Sequence, residues 1–219
     1  MINLFCGYDE REAIGYHVFC ASVLRHNSRP VSFIPMSSLG LRQGTNAFTL
    51  SRFLVPFMTK HSGHAIFADA SDMVMLADIA RLDDLFDPQY AVQLVKHADY
   101  QTRHPMKYVG TPMQCENRDY PRKNWTSLMI INCEHAAWRG VTPSFIGKMP
   151  TLDALQLRWI GDDAIGALPA QWNVLVDEGQ SADGAKLLHW TAGIPGFYKY
   201  RDAPEAKHWH SMHSGLKAA

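Results

Sequence analysis

Short apolar runs that alternate with helix-like segments restrict the fold of this 219-residue chain more than any other feature of its sequence. The runs with the length and composition of strands are 2–7, 31–36, 64–68, 90–96, 127–131, 172–176 and 186–190. The predicted helices run from Asp9 to about Leu24, over about 47–58, 81–86 and 142–148, and from near Asp162. This alternation predicts an α/β domain with a mixed, mostly parallel sheet flanked by helices.

Composition excludes several classes of protein. The chain has 21 basic and 21 acidic residues, and this zero net charge argues against a general coat for nucleic acid while allowing a local basic groove. Hydrophobic residues make up 47% and charged residues 19%, values that exclude a disordered, collagen-like or coiled-coil chain. No apolar run approaches the ~20 residues that a membrane-spanning helix needs.

The expected location is the cytoplasm. Cys6, Cys20, Cys115 and Cys133 are scattered and form no CxxC pair, so neither a zinc site nor a disulfide framework is predicted. The first residues do not combine a basic segment with an apolar one, so we predict no signal peptide. Peripheral association with a membrane stays open.

The strongest chemical signal is the segment FADASDMVMLADI, residues 67–79. An apolar strand here delivers two carboxylates, Asp69 and Asp72, onto a loop. Ligands of such sheets bind beyond the carboxyl ends of the strands, and Mg²⁺ or Mn²⁺ takes carboxylate ligands that it shares with substrate phosphates. Two further polar clusters end predicted strands, namely Gly7-Tyr8-Asp9 and His189. The alternative is that Asp69 or Asp72 only caps the following turn.

Residues 67–79 resemble the DxD region of the GT-A nucleotide-sugar glycosyltransferases, in particular the family 8 group of glycogenin and galactosyltransferase-like enzymes. The resemblance implies a GT-A-like, Rossmann-like single domain over residues 1–202, followed by a polar, His-rich tail over 203–219. It also implies that Asp69, Asp72 and His189 hold Mn²⁺ or Mg²⁺. Because the chain reads DxxD rather than DxD, either Asp72 occupies the second position on a bulged loop or Ser71 does.

Two more segments resemble the nucleotide side of that family's site. Residues 5–9 (FCGYD) look like the first strand end, where Tyr8 would stack on uracil and Asp9 would accept a hydrogen bond from its N–H. Capping of the following helix is the alternative for Asp9. In residues 46–57, Arg52 would contact the sugar or the diphosphate through its planar fork, the alternative being a pair with a carboxylate.

Residues 124–132 (NWTSLMIIN) match the position of a family strand whose sugar-contacting residues differ here, and residues 162–166 (DDAIG) resemble the acidic turn near the reactive carbon. Asp162 and Asp163 are therefore the candidate catalytic residues, which would stabilise a cationic sugar or orient the acceptor. One of them could instead cap a helix.

Residues 189–197 (HWTAGIPGF) resemble the family's C-terminal motif, in which His189 would be the third metal ligand. Gly193 would let the backbone approach the diphosphate. The Lys of the family motif is absent, and Lys199 is the nearest cation that could bind the phosphate.

The resemblance implies an enzyme that transfers a sugar, a hexose by expectation, from a UDP-sugar to an acceptor hydroxyl with retention at the anomeric carbon. The expected acceptor is a glycan or a lipid-linked saccharide. Two alternatives stay open: a metal-dependent nucleotidyltransferase or phosphohydrolase, and a non-catalytic module that binds nucleotide sugars or nucleic acid.

The stretch 96–123 is locally basic, with six Lys or Arg against three acids, one of which is Asp99, and it contains three tyrosines. It is either a solvated loop or a groove for an anionic acceptor, so DNA is a minority candidate through contacts to phosphate. The tail carries His208, His210 and His213, which suit a closing amphipathic helix, a frayed terminus or a metal tract. The oligomeric state is left open.

Overall fold

The computed structural model describes residues 1–98 and 100–217, so Asp99 of the basic stretch and residues 218–219 of the tail lie outside the described residues. The strands are β1 (Ile2–Gly7), β2 (Val31–Met36), β3 (His64–Ala68), β4 (Met73–Met75), β5 (Val92–Leu94), β6 (Met106–Lys107), β7 (Cys115–Glu116), β8 (Leu128–Asn132), β9 (Ile165–Ala167), β10 (Val174–Leu175) and β11 (Leu187–His189). The helices are α1 (Ala13–His26), α2 (Val55–Met58), α3 (Ala80–Asp83), α4 (Pro143–Lys148), α5 (Thr151–Leu155) and α6 (Ala206–Lys217).

A six-stranded sheet in the order β2-β1-β3-β8-β5-β9 forms the centre of the domain. β8 runs antiparallel to both of its neighbours, and the other adjacent pairs are parallel. The predicted mixed, mostly parallel α/β sheet is therefore confirmed. Ala68 at the end of β3 pairs with Leu128 at the start of β8 and with Cys6 of β1, so the segments that follow β1 and β3 emerge at one edge.

Alternate residues of the central strands pack into two cores on opposite faces of the sheet. Phe5 and Phe67 point into the core that also contains Trp138 and Ile146 of the later helical half. The neighbouring residues Leu4, Cys6 and Ile66 point into the core covered by Phe19 and Val23 of α1. A third cluster, which includes Val18, Trp190 and Trp209, joins α1 to the strand β11 region and to α6.

A smaller sheet in the order β10-β11-β4 brings the end of the chain back to the acidic loop. β11 pairs antiparallel with β4, so that His189 is opposite Met73, and the Trp190 N–H donates to the Asp72 carbonyl at 2.9 Å. β4 is the direct continuation of the loop that follows β3. This pairing places His189 beside Asp72.

Several predicted elements are shorter than expected. Instead of a helix over 47–58, the chain forms a 3-10 turn at Ser51–Leu54 and only the single turn α2, where Pro56 removes a backbone donor near the start. The helix expected from near Asp162 is one 3-10 turn, Asp162–Ala164, that leads directly into β9. The polar tail forms α6, which packs Trp209 and Met212 into the third cluster.

In the described part of the chain, every helix is too short or too polar to cross a bilayer.

Candidate active site

The loop that joins β3 to β4 carries both acids of the DxxD segment. Ala70 has a left-handed φ of 64°. The Ser71 N–H donates to the Asp69 carbonyl at 2.7 Å, and the Met73 N–H donates to the Ala70 carbonyl at 3.0 Å. This tight turn accommodates the extra residue of DxxD and brings the carboxylates of Asp69 and Asp72 close together.

Two glycines hold this loop in place because the surrounding backbone leaves no room for a side chain. A Cβ on Gly7, at the end of β1, would lie 2.8 Å from the Asp69 carbonyl oxygen. A Cβ on Gly15, in α1, would lie 1.9 Å from the Ser71 carbonyl oxygen. The first turn of α1 therefore packs directly on the acidic loop.

Asp69, Asp72 and His189 form the cluster with the geometry of a metal site, with one ligand atom from each within 4.8 Å of the others. His189 Nε2 lies 3.4 Å from Asp72 Oδ2. Asp72 and His189 are buried, while the Asp69 side chain is 16% exposed. Ser71 turns away, with its hydroxyl 3.4 Å from Glu12 Oε2, so the geometry brings Asp72 rather than Ser71 to the second position.

The orientation of His189 is fixed by Asn173, which the sequence did not mark as a site residue. His189 Nδ1 lies 2.9 Å from Asn173 Oδ1, and the Asn173 amide donates to Ser127 Oγ at 2.8 Å. Because the amide group of Asn173 is committed to Ser127, its oxygen faces the ring, and Nδ1 must be the donor. His189 Nε2 is thus the nitrogen directed at the acids, as in metal-bound histidines with a supporting partner.

The donor set fits a divalent cation of the Mn²⁺ class. Two carboxylates and one imidazole suit Mn²⁺, whereas Mg²⁺ prefers oxygen ligands alone. Asp72 Oδ1 is buried without a hydrogen-bond partner among the described residues, which is costly for a carboxylate unless a cation meets it. Asp69, Asp72 and His189 are therefore candidate ligands.

The charges of the cluster act on one another. Burial raises the pKa of Asp69 to about 6, although Arg52 opposes the shift. Burial also acts to raise the pKa of Asp72, but His189, together with Lys107 and a backbone hydrogen bond, outweighs it and the pKa is lowered. The same attraction raises the pKa of His189 against the effect of its burial. Without a cation, this pair therefore favours a carboxylate beside an imidazolium, and metal binding would release that proton.

Arg52 is buried and paired with a carboxylate. Its Nη1 donates to Asp69 Oδ1 at 2.6 Å and to the Thr126 carbonyl at 3.0 Å, and its guanidinium lies between the rings of Phe48 and Phe67. In the structure, the guanidinium of Arg52 therefore holds the carboxylate of Asp69. The expected contact with the sugar or the diphosphate stays a prediction.

Tyr8 and Asp9 line a cavity of about 320 Å³ beyond the ends of β1 and β2, together with Arg11 and Ala47. Asp9 caps the turn Glu10–Glu12 and accepts four hydrogen bonds, three from Arg11 and one from the Ala47 N–H. The expected capping is confirmed. A nucleobase N–H could reach this carboxylate only if one of these donors moved away.

The remaining candidates do not join the cluster. Asp162 and Asp163 are exposed and precede the amino end of β9, where Asp162 pairs with Arg122, whereas the metal-site acids follow the carboxyl end of β3.

Two candidates from the C-terminal motif also lie elsewhere. A Cβ on Gly193 would meet the Tyr200 ring at 2.6 Å, so this glycine serves the packing of Tyr200. Lys199 is exposed and lines a different cavity, of about 580 Å³, with Met106 and Tyr200.

Sequence reasoning also missed Glu178, which ties the 100–117 segment to the chain after β11. Its carboxylate accepts hydrogen bonds from the Tyr100 hydroxyl, the Thr102 hydroxyl, the Arg103 N–H and the Thr191 hydroxyl, at 2.6, 2.7, 2.7 and 3.0 Å. Nothing in the local sequence VDEG distinguishes this acid from an ordinary turn residue.

Comparison with known proteins identifies a family. No family model matches the sequence. Protein CDI of Arabidopsis thaliana is 32% identical to this chain over 223 residues, and the match covers 94% of this chain and 84% of the plant protein. The chain belongs to the Protein CDI family.

Solved structures place the fold of this member of the Protein CDI family among the GT-A glycosyltransferases. The bifunctional glycosyltransferase WbbM superposes with a TM-score of 0.68 at 14% identity, over 97% of this chain and 49% of WbbM. The galactosyltransferase LgtC, in complex with donor and acceptor sugar analogues, gives 0.63 at 12% identity over 98% and 96%. GlyE of Streptococcus pneumoniae gives 0.63 at 12% over 97% and 60%. The chain thus spans about half the length of WbbM.

Proposed function

We propose that this protein is a metal-dependent glycosyltransferase that moves a hexose from a UDP-sugar to an acceptor hydroxyl, with retention at the anomeric carbon. The observation that carries the proposal is the Asp69–Asp72–His189 cluster, which follows the strand ends at one edge of a GT-A sheet. The likeness to family 8 enzymes stays part of this proposal.

Mn²⁺ or Mg²⁺ held by Asp69, Asp72 and His189 would neutralise the charge that develops on the leaving diphosphate. The chain's own residues prepare the place for it. Arg52 fixes one Asp69 oxygen, and Asn173 holds the imidazole so that Nε2 faces the two acids. The cavity at Tyr8 and Arg11 adjoins the same sheet edge and has room for a nucleobase.

The acceptor proposed is a glycan or a lipid-linked saccharide rather than DNA. Three of the six cations in the basic stretch are paired, Arg118 with Glu116, Lys123 with Asp119, and Arg122 with Asp162. Paired cations offer little to a phosphate backbone, which is bound by unneutralised charge. Asp162 and Asp163 stay the proposed catalytic pair; both are exposed, and Asp162 pairs with Arg122.

The proposed location is the cytoplasm. Cys6, Cys20, Cys115 and Cys133 are all free thiols in the structure, which suits a reducing compartment.

Calorimetric titration of UDP with and without Mn²⁺ tests the proposal, on the wild type, on Asp72→Asn and on the control Asp202→Asn. Asp202 is 89% exposed, so its variant controls for the loss of one negative charge. We expect UDP binding that needs Mn²⁺, that Asp72→Asn loses and that Asp202→Asn keeps, followed by UDP release from a UDP-sugar.

The other outcomes separate the alternatives. Turnover of nucleoside triphosphates or phosphate esters without sugar transfer would indicate a nucleotidyltransferase or phosphohydrolase. If the protein binds UDP-sugars but releases no UDP in the presence of any acceptor tested, it is a binding module. Full UDP binding by Asp72→Asn would contradict the metal assignment.

A further inference from the structure

Lys107 occupies an unusual position beside the candidate site. It belongs to the short hairpin of β6 and β7, where it pairs with Cys115, and its side chain is half-buried. It lines a cleft of about 560 Å³ together with Tyr120 and Lys123. The backbone of the next residue is tied to the chain after His189, since the Tyr108 N–H donates to the Ala192 carbonyl at 2.7 Å.

Among the described residues, the ammonium of Lys107 has no carboxylate partner in an ion pair. Of the three cations that line the cleft, Arg118 pairs with Glu116, and Lys123 donates to Asn117 Oδ1 at 2.7 Å and lies 3.5 Å from Asp119. Lys107 forms no ion pair within the ranges 1–98 and 100–217, and its ammonium lies 5.4 Å from the centre of the Tyr108 ring.

The ammonium is nevertheless close enough to influence the acids of the site. It acts to lower the pKa of Asp69, of Asp72 and of Glu12, in each case against the larger effect of burial. Lys107 therefore lies on the lining of the cleft, next to a residue that is tied to the chain after His189, and it forms no ion pair with a carboxylate among the described residues.

Charge balance says what this cation could bind. With His189 in the neutral form that binds a metal, Arg52 cancels one of the two carboxylates, Asp69 and Asp72, so one net negative charge remains. A divalent cation would change this net charge from −1 to +1. A bound diphosphate diester carries two negative charges, so the net charge of the assembly would then be −1. One further cation neutralises it.

We infer that Lys107 binds the diphosphate of the donor, as the cation that the C-terminal motif lacks. This inference rests on the proposed function. Lys107 takes the phosphate-binding role that the sequence predicted for Lys199. Lys199 is exposed on a different cavity, and its aliphatic chain lies 3.6 Å from where a Cβ on Gly110 would be. Because the hairpin fixes the backbone of Lys107 and its side chain is half-buried, less order is lost on binding than with a fully exposed lysine.

The test compares Lys107→Met, which keeps the length of the side chain and removes the charge, with Lys107→Arg and with the control Lys199→Met. Affinities for uridine, UDP and inorganic pyrophosphate are measured by calorimetry in the presence of Mn²⁺, and thermal melting checks that each variant is folded. We expect Lys107→Met to lose about 10- to 100-fold in affinity for UDP and for pyrophosphate, the value of a hydrogen bond to a charged group. Uridine binding should be unchanged, Lys107→Arg should restore much of the loss, and Lys199→Met should behave as the wild type.

Each other result has a definite meaning. Unchanged UDP affinity in Lys107→Met overturns the inference and leaves the proposed function standing. An equal loss of uridine and UDP assigns Lys107 to the support of the site and also overturns it. Pyrophosphate binding that needs Lys107, in a wild type that does not bind UDP, supports the inference and contradicts the proposed donor. A wild type that binds neither ligand overturns both.

Discussion

At the scale of single residues, the candidate metal site depends on a chain of hydrogen bonds that runs from His189 to the backbone carbonyl of Asn124. His189 is held by Asn173, Asn173 by Ser127, and the Ser127 hydroxyl donates to the Asn124 carbonyl at 2.7 Å. These residues lie on the Nδ1 side of the imidazole, and the Ser127 carbonyl also accepts from the Asp69 N–H at 2.8 Å. It follows that the direction of Nε2 is decided by residues that are not themselves candidate ligands of the metal.

Asn173→Ala should weaken Mn²⁺ binding by about 10- to 100-fold, the usual effect of losing a supporting partner of a metal-bound histidine. The ring then has no acceptor for its Nδ1 proton and can turn away from the acids. Mn²⁺ titration followed by electron paramagnetic resonance measures the change. Asn132→Ala is the matched control, since Asn132 is also buried but donates to Pro88 at the other end of β8. Equal losses in both variants would contradict the role of Asn173.

Glu12 is a buried acid that the site does not pair with a cation. Its Oε2 accepts from the Asn46 amide at 2.6 Å, and its Oε1 has no hydrogen-bond partner among the described residues. Burial raises its pKa to about 8, with Asp72 adding to the shift. The charged groups that act on it are Asp72, Lys107, Asp9 and Arg11.

Because the folded state of Glu12 holds its proton up to about pH 8, while the unfolded state releases it near pH 4.5, its contribution to stability falls as pH rises through this window. Glu12→Gln should remove this loss. Its free energy of unfolding relative to wild type should grow with pH, by up to about 1.4 kcal/mol for each pH unit. Urea unfolding in the presence of a chelator measures it. A parallel pH profile for both proteins would contradict the shift, and Glu116→Gln, on a 62% exposed side chain, is the control.

At the scale of secondary-structure elements, the site depends on the close contact of α1 with the acidic loop. The helix contacts the loop at Gly15, where even one methyl group would overlap with the Ser71 carbonyl oxygen. The contacting atoms are backbone on both sides, so neither can move aside as a flexible side chain would. The position of Asp69 and Asp72 is therefore set by the packing of a helix as much as by the strand that carries them.

Gly15→Ala should lower the stability by about 1–3 kcal/mol, as an overpacked core does, and should also displace the acids and abolish Mn²⁺ binding. Thermal melting and metal titration measure the two effects. Gly147→Ala is the control, because Gly147 also lies in a helix, α4, and its Cβ would meet only the Leu41 side chain at 3.6 Å. That variant should keep full metal binding. Intact metal binding in Gly15→Ala would show that the loop tolerates a shift of α1.

At the scale of the whole molecule, the C-terminal helix is part of the same packed body as the site. α6 packs Trp209 against Val18 of α1 and Trp190, which follows β11. α1 and β11 are the two elements that position the acidic loop and His189. The tail that begins at residue 203 is therefore connected to the site through a shared hydrophobic cluster.

Trp209→Ala should cost about 3–5 kcal/mol of unfolding free energy, as large-to-small changes of buried aromatic residues do. Chemical denaturation gives the value. Tyr198→Ala removes an aromatic ring of which 82% is exposed and should change the stability little. A loss below 1 kcal/mol for Trp209→Ala, of the order seen at exposed sites, would contradict the packing of α6.

Much of the sheet could be predicted from the sequence, because its central strands are continuous apolar runs with clear ends. β1, β2 and β3 were predicted with the observed bounds, and their limits are Gly7, Arg29-Pro30 and Asp69. The short strand β4 could not be predicted, since its three residues become a strand only by pairing with β11. The helix expected near Asp162 failed because residues after the 3-10 turn gain more by joining the sheet as β9.

The sequence by itself determined which chemical groups leave the strand ends, since an apolar run followed by Asp69, Asp72 or Tyr8-Asp9 is a local pattern. Only the tertiary structure decided how those groups are used. It joined His189 to Asp72 through strand pairing, and it committed Arg52 to Asp69 and Asp9 to Arg11. It left Lys107 over the Tyr108 ring, with no ion pair in the described part of the chain. The physical reason is that partners of a buried charge are chosen by three-dimensional proximity in a medium where unpaired charge is costly. No local stretch of sequence contains that information.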